Sequence, residues 1–338
     1  MKRVLAVRQD SNGDVLLAGP AVRAIAAAAE VTLLCGPSGA AAAQTLPGVA
    51  RVIVHEAAWI EANPKPLERE DVDAFVETLR ESKFDEAIVF TSFHQSPLPL
   101  ALLLRMAGIS HIGAISEDYP GSLLDVRHRV DDDIHEVERA LSLARAMGYD
   151  LPAGDEGRLR MRIADADPGG LPFEPYVVVH PGCTVPARAW YPEANAALVM
   201  RLCTAGHKVI VTGSQCERGL AHRIAAHSNA VDMSGKTTFG EFALIVKHAA
   251  CVVSGNTSAA HVAAAMATPV VSVFPPTVPA SRFRPWMVKH VLLGDQQIAC
   301  AGCRSRVCPI PGQPCLSHVT VDQVYNAILS LATLREVA

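Results

Sequence analysis

Residues 251–274, CVVSGNTSAAHVAAAMATPVVSVF, decide how this chain folds. CVVS is apolar and β-branched, the composition of a buried strand. Gly255-Asn256-Thr257-Ser258 are turn and N-cap types that stop the strand and open a helix. The helix AAHVAAAMA is built almost wholly of small side chains, so it can lie close against a sheet. PVVSVF supplies the returning strand, and a right-handed crossover makes the two strands parallel.

The loop between strand and helix carries the chemical interest. The first-turn N–H groups of a helix lack intrahelical partners, and the macrodipole makes that end positive. A ligand phosphate can take those donors, joined by the hydroxyls of Thr257 and Ser258. Side chains lean toward a helix's N-terminus, which brings His261 toward the same ligand. A capped crossover helix with a packed histidine accounts for the same residues, so spacing alone leaves both readings open.

Outward from this unit, strands and helices alternate along the whole chain. Lys2 to Val7 reads as a short strand, followed by the loop Arg8 to Asp14 and a helical segment containing Pro20, placed either in its first turn or at a bend. VTLLCG, RVIVHE and EAIVFTS read as further strands, with EDVDAFVETLRES and LALLLRMAG as helices. The second half repeats the plan with YVVVHPG, a helix from Pro192, HKVIVTG, and helices in SQCERGLAHRIAAH and TTFGEFALIVKHA. Between the halves, ADADPGGLPFEP has the composition of a linker. These patterns predict an α/β chain of two doubly wound, Rossmann-like domains facing each other across a cleft. The expected bounds are 1–168 and 169–320, with a last helix in 321–338 packing back on the first domain. Ligands of such sheets bind at the carboxyl ends of the strands, which singles out the loops 12–14, 93–96, 183–188, 213–217 and 255–261.

A length of 338 residues and 50% apolar content suit two domains with full cores. The net charge of −4 implies no basic face for nucleic acid. The amino-terminal apolar run is too short for a signal peptide, and no stretch nears the roughly 20 apolar residues of a membrane span. The expectation is a soluble cytoplasmic protein, at most loosely associated with the inner face of the membrane. Of nine cysteines, Cys35, Cys183, Cys203, Cys216 and Cys251 read as scattered small core residues. Cys300, Cys303, Cys308 and Cys315 stand together with spacing C-x2-C-x4-C-x6-C, which a structural zinc ion can accept, although prolines constrain the loop and reduced thiols need no metal.

Four blocks in order resemble glycosyltransferase family 9, the lipopolysaccharide heptosyltransferases with the GT-B fold. They are VLAVRQDSNGDVLLAGPAVRAI, HPGCTVPARAWYPE, GNTSAAHVAAAMATPVVSVFPPT and the Cys-rich tail ending CLSHVTVDQV. The resemblance implies an acceptor-binding first domain, a nucleotide-sugar-binding second domain and inverting transfer of heptose from ADP-heptose, with no cofactor required. By position Asp14 becomes the general base, since an acceptor hydroxyl is a poor nucleophile until a carboxylate takes its proton; as a helix cap it has a structural reading too. Arg188 becomes the clamp on the leaving diphosphate, against an exposed surface arginine. Cys183, Thr184, Glu217, Asn256, Thr257, Ser258 and His261 follow as donor contacts. Glu217 also completes a capping box with Ser214. Asn12, His94, Gln95 and Ser96 are acceptor candidates, and the acceptor is a glycan, lipid-linked sugar or small molecule.

The family usually has Asp-Thr-Gly where this chain has Asn256-Thr257-Ser258. Asparagine removes a charge, and serine adds a Cβ where backbone approaches phosphate. A non-catalytic nucleotide-sugar-binding protein and a sugar-nucleotide epimerase of the same fold are the alternatives.

Overall fold

The computed structural model describes residues 1–61, 63–92, 94–131, 133–163 and 175–332. The chain divides into two compact units, Met1–Arg162 and Ile163–Ala338. The expected boundary and nearly all of the expected linker fall in 164–174, outside the described residues, as do Phe93 and the tail 333–338.

The first unit contains β1 (Lys2–Arg8), α1 (Asn12–Ala26), β2 (Ala29–Cys35), α2 (Ala40–Ala43), β3 (Val49–Val54) and α3 (Arg69–Glu81). It continues with β4 (Glu86–Val89), α4 (Leu98–Met106), β5 (His111–Ile115), β6 (Val126–His128) and α5 (Glu136–Ala146). Among the described residues the strands form a six-stranded parallel sheet in the order β3-β2-β1-β4-β5-β6. Helices cover both faces of such a sheet, so its central strands are apolar throughout rather than alternating. Accordingly Val4 to Val7 of β1 are all buried. Pro20 lies inside α1, well past the first turn.

The second unit contains β7 (Tyr176–His180), α6 (Pro192–Thr204), β8 (Lys208–Val211), α7 (Arg218–Ala225), β9 (Val231–Asp232) and α8 (Phe239–His248). There follow β10 (Cys251–Ser254), α9 (Ser258–Ala265), β11 (Val270–Val273), α10 (Ala280–Phe283), β12 (His290–Leu293), α11 (Pro314–Ser317) and α12 (Val321–Leu331). Its sheet, β9-β8-β7-β10-β11-β12, is again parallel and has the same winding as the first. Each sheet therefore reverses its strand order once, between β1 and β4 and between β7 and β10. The crevice at such a switch point is where doubly wound sheets take ligands.

The last helix, α12, packs against α6 and the strands β10, β11 and β12 of the second unit. Its apolar stripe, Val324, Ala327 and Ile328, enters the core that holds Leu198 and Leu202 of α6. Arg201 of α6 pairs with Asp322 and lies 4.2 Å over the Tyr325 ring, fixing the register. Among the described residues no helix is long and apolar enough to cross a membrane.

Candidate active site

At the first switch point the chain leaves β1 as Arg8-Gln9-Asp10, and a buried cluster of charge forms there. The Arg8 guanidinium donates from Nη2 to Asp14 Oδ1 at 3.0 Å and to Ser92 Oγ at 2.8 Å. Its Nε lies 2.8 Å from Asp10 Oδ2 without the alignment of a hydrogen bond, and Nη1 reaches Glu136 Oε2 at 3.5 Å. Burial alone would lower the arginine's pKa, but Asp10, Asp14 and Glu136 outweigh it and hold Arg8 firmly cationic. Asp10 is pushed the other way: burial raises its pKa, only partly offset by Arg8 and by bonds from Gln95 and Ser92. Asp14 has a side chain 21% exposed, and its Oδ2 accepts from Ser11 Oγ at 2.7 Å. Ser11, not Asp14, stands at the N-cap, so Asp14 occupies the first turn of α1, where the helix end favours negative charge.

The other candidates of this unit separate. Gln95 belongs to the cluster, since its amide donates to Asp10 and its Oε1 accepts from Ser92 N at 3.0 Å. Asn12 instead accepts from Ala42 N at 2.9 Å and so holds α2 in place. His94 is exposed, and Ser96 approaches Asp118 at 3.4 Å. Beyond the end of β3 lies a cavity of about 380 Å³ lined by His55, Trp59, Lys65, Asp71 and Phe75 among others. His55 stacks on Phe75 with ring centroids 3.6 Å apart, and burial lowers its pKa. Trp59 also lines a smaller pocket with Gln9, Gln95 and Ser96, beside the cluster.

In the second unit the loops after β7, β8 and β10 converge. Thr257 caps α9, its hydroxyl accepting from Ala259 N at 3.3 Å. Ser258 is the first residue of α9 and is absent from the positive-φ positions, so its Cβ brings no backbone strain. Asn256 and His261 are both buried. Gly255 explains the closeness of the loops: a Cβ there would meet the Arg188 carbonyl oxygen at 2.8 Å. Arg188 ends a short 3-10 turn, Pro186–Arg188, and its Nε is buried with no hydrogen-bond partner among the described residues. Next to it Thr184 is exposed, while burial raises the pKa of the Cys183 thiol.

Glu217 forms the expected capping box, its Oε2 accepting from Ser214 N and Ser214 Oγ, each at 2.7 Å. Its carboxylate also lies against the Gly182 backbone, where a Cβ would meet Oε1 at 2.0 Å. Beneath it, burial lowers the pKa of His180, partly countered by Glu217, and the ring bonds Thr212 Oγ1 at 3.0 Å. The neutral imidazole adds no charge to this loop cluster.

Two glycine-permitted close approaches, an arginine and a capped helix start thus lie together at one switch point. Residues 72–313 match glycosyltransferase family 9 (heptosyltransferase). The chain belongs to glycosyltransferase family 9. It is 31% identical over 320 residues to lipopolysaccharide heptosyltransferase 1 of Pseudomonas aeruginosa, covering 90% of this chain and 87% of the relative. Lipopolysaccharide heptosyltransferase 1 of Salmonella typhimurium is 28% identical, with 82% and 89% covered. In structure the chain is similar to a family 9 glycosyltransferase from Veillonella parvula, with TM-score 0.78, 15% identity and 98% and 97% covered. E. coli ADP-heptose lipopolysaccharide heptosyltransferase II gives TM-score 0.75 at 19% identity, with 98% of each chain covered. The fold is accordingly GT-B, with two Rossmann-like domains.

For this family 9 glycosyltransferase, sequence reasoning missed Arg8, Asp10, Ser92 and Glu136. The charged pair Arg8 and Asp10 directly after an apolar strand was the available signal. The cysteine motif does not form the metal site its spacing allowed: among the described residues no group of three or more His, Cys, Asp or Glu could hold a metal ion. Cys315 is buried in the second core while Cys303 is exposed, and burial, with Cys308, Cys300 and Cys303 nearby, raises the pKa of the Cys315 thiol. The scattered cysteines also divide, since Cys35 and Cys251 are buried and Cys216 is exposed.

Proposed function

We propose that this enzyme transfers heptose with inversion from ADP-heptose to a hydroxyl of a lipopolysaccharide-core acceptor. The first unit carries the acceptor and the base, and the second carries the donor. Asp14 accepts the proton of the attacking hydroxyl as its oxygen bonds the anomeric carbon. The bond from that carbon to the diphosphate oxygen breaks, and ADP leaves with the electron pair. Arg188 and the N–H groups opening α9 stabilise the charge that grows on the diphosphate. The single observation that carries the reading is Asp14 itself, which is partly exposed at a switch point and steered by Arg8 on one oxygen and Ser11 on the other. The donor identity is supported by the relatives, among them an E. coli heptosyltransferase solved with ADP.

The test is Asp14→Asn, which keeps the shape and removes the base. Heptose transfer from ADP-heptose to truncated lipopolysaccharide should fall by roughly 10²–10⁴-fold. ADP affinity, measured by calorimetry, should stay near that of the parent. Unchanged turnover would remove Asp14 from the base's role, whereas tight ADP binding by the parent with no transfer to any acceptor would favour the non-catalytic binding reading, to which the neutral Asn256 lends support.

A further inference from the structure

We infer that Gln313 is a positioning residue for the donor site, acting through the Arg188 segment; this rests on Arg188 holding the diphosphate. The Cys-rich segment after β12 runs as a strap across two site loops of the second unit. Gly302 N donates to Pro276 O at 2.7 Å and Arg304 N to Thr277 O at 2.9 Å, which fixes the strap to the exit of β11. It then crosses to the other loop, where Ala187 N donates to Arg306 O at 3.0 Å and Gln313 Nε2 donates to Ala187 O at 2.8 Å. Tyr191 adds a bond from its hydroxyl to Gly312 O at 2.6 Å. Both backbone polar groups of buried Ala187 are thereby taken by the strap, one residue before Arg188.

The backbone at Gln313 points to a purpose. It has φ 40° and ψ 68°, a left-handed conformation that L side chains rarely adopt and that glycine would take freely. Opening α11 needs only the main chain there, because Leu316 N and Ser317 N donate to the Gln313 carbonyl. What glycine could not supply is the amide that reaches Ala187. The 3-10 turn of Arg188 is short, held internally by Arg188 N to Val185 O at 2.8 Å and Ala189 N to Pro186 O at 3.1 Å. Clamped from the strap on one side and against Gly255 on the other, Arg188 keeps its place beside the start of α9.

The experiment measures ADP and adenosine affinity of the full chain by calorimetry for Gln313→Leu, Arg188→Ala and the double variant. Arg188→Ala should weaken ADP, and Gln313→Leu should weaken it by roughly three- to tenfold, the effect of one hydrogen bond. Adenosine, which lacks the phosphates, should bind both variants as it binds the parent. In the Arg188→Ala background the second change should add nothing, because the residue it positions is gone. Unchanged ADP affinity in Gln313→Leu, equal weakening of adenosine, or additive losses would each overturn the positioning role. Unchanged ADP affinity in Arg188→Ala would overturn the clamp itself, a result distinct from the others. Should Gln313→Leu fail to fold, Tyr191→Phe loosens the same strap by one hydroxyl, and the same readings decide.

Discussion

Replacing Arg8 with methionine tests the charge cluster most directly. The new side chain fills a similar volume but leaves Asp10, Asp14 and Glu136 without the cation that lies 2.8, 3.0 and 3.5 Å from them. At an effective dielectric near 20 a pair 3 Å apart attracts by roughly 5 kcal/mol before desolvation is counted. Arg8 is 3% exposed at its side chain, so little water can replace it. Breaking a buried pair by removing one partner typically costs about 3–5 kcal/mol. The net loss should sit in that range, because the carboxyl groups left behind can relieve part of the cost by taking up protons. Urea unfolding of the full chain, followed by circular dichroism, should show an early transition for the first unit at pH 7. The sign of the pH dependence is fixed: orphaned buried carboxyls have raised pKa values, so the deficit is largest at neutral pH and shrinks as they protonate below about pH 5. A loss under about 1 kcal/mol, or a deficit that grows on acidification, would refute the view that Arg8 neutralises this cluster. Arg8→Lys should recover part of the stability but lose transfer activity, since one ammonium cannot serve Asp14, Ser92 and Glu136 together.

Three further outcomes are expected. Gly255→Ala should push the Arg188 backbone away and raise the Kd for ADP about tenfold or more, read by calorimetry, since the clash at 2.8 Å is with backbone. Asp155, held by the Arg23 guanidinium to a pKa of about 2 from an ordinary 3.8, should contribute roughly 2 kcal/mol to the first unit. Its folded pKa is depressed, so that stability is present above pH 4 and fades as pH falls through 2; Asp155→Asn should flatten that stretch of a pH titration of the thermal midpoint. Thr257→Ala removes the α9 cap and should cost about 1 kcal/mol by chemical unfolding, with weaker ADP binding alongside.

The alternation of apolar runs and turn residues made the winding of both units legible, because parallel strands buried on two faces carry their signal locally. The same holds for the Ser214–Glu217 capping box and the Thr257 cap, whose partners lie within three residues. Long-range partners were not legible. Glu136 meets Arg8 across 128 positions, and Gln313 meets Ala187 across 126. Nothing in the composition near either partner announces the other, since only the folded sheet brings the ends together. The helix start was misjudged for a related reason: Gly13 looks like a break, yet α1 begins one residue earlier and puts Asp14 in its first turn.

The two switch points answer opposite electrostatic demands, and the departure at Asn256 fits that division. On the proposed mechanism a general base must stay anionic in a partly buried place, and the first unit would favour this by setting a permanent guanidinium among three carboxylates, with burial raising the pKa of Asp10 among them. A diphosphate needs the reverse, donors and positive charge with few competing anions. Buried Asn256 contributes no negative charge beside the start of α9, and Glu217 has one oxygen committed to its own helix cap. The change from aspartate therefore lowers repulsion toward a leaving diphosphate while giving up a charged contact to a sugar hydroxyl. On that balance the chain should hold ADP firmly and discriminate less sharply among the sugars attached to it.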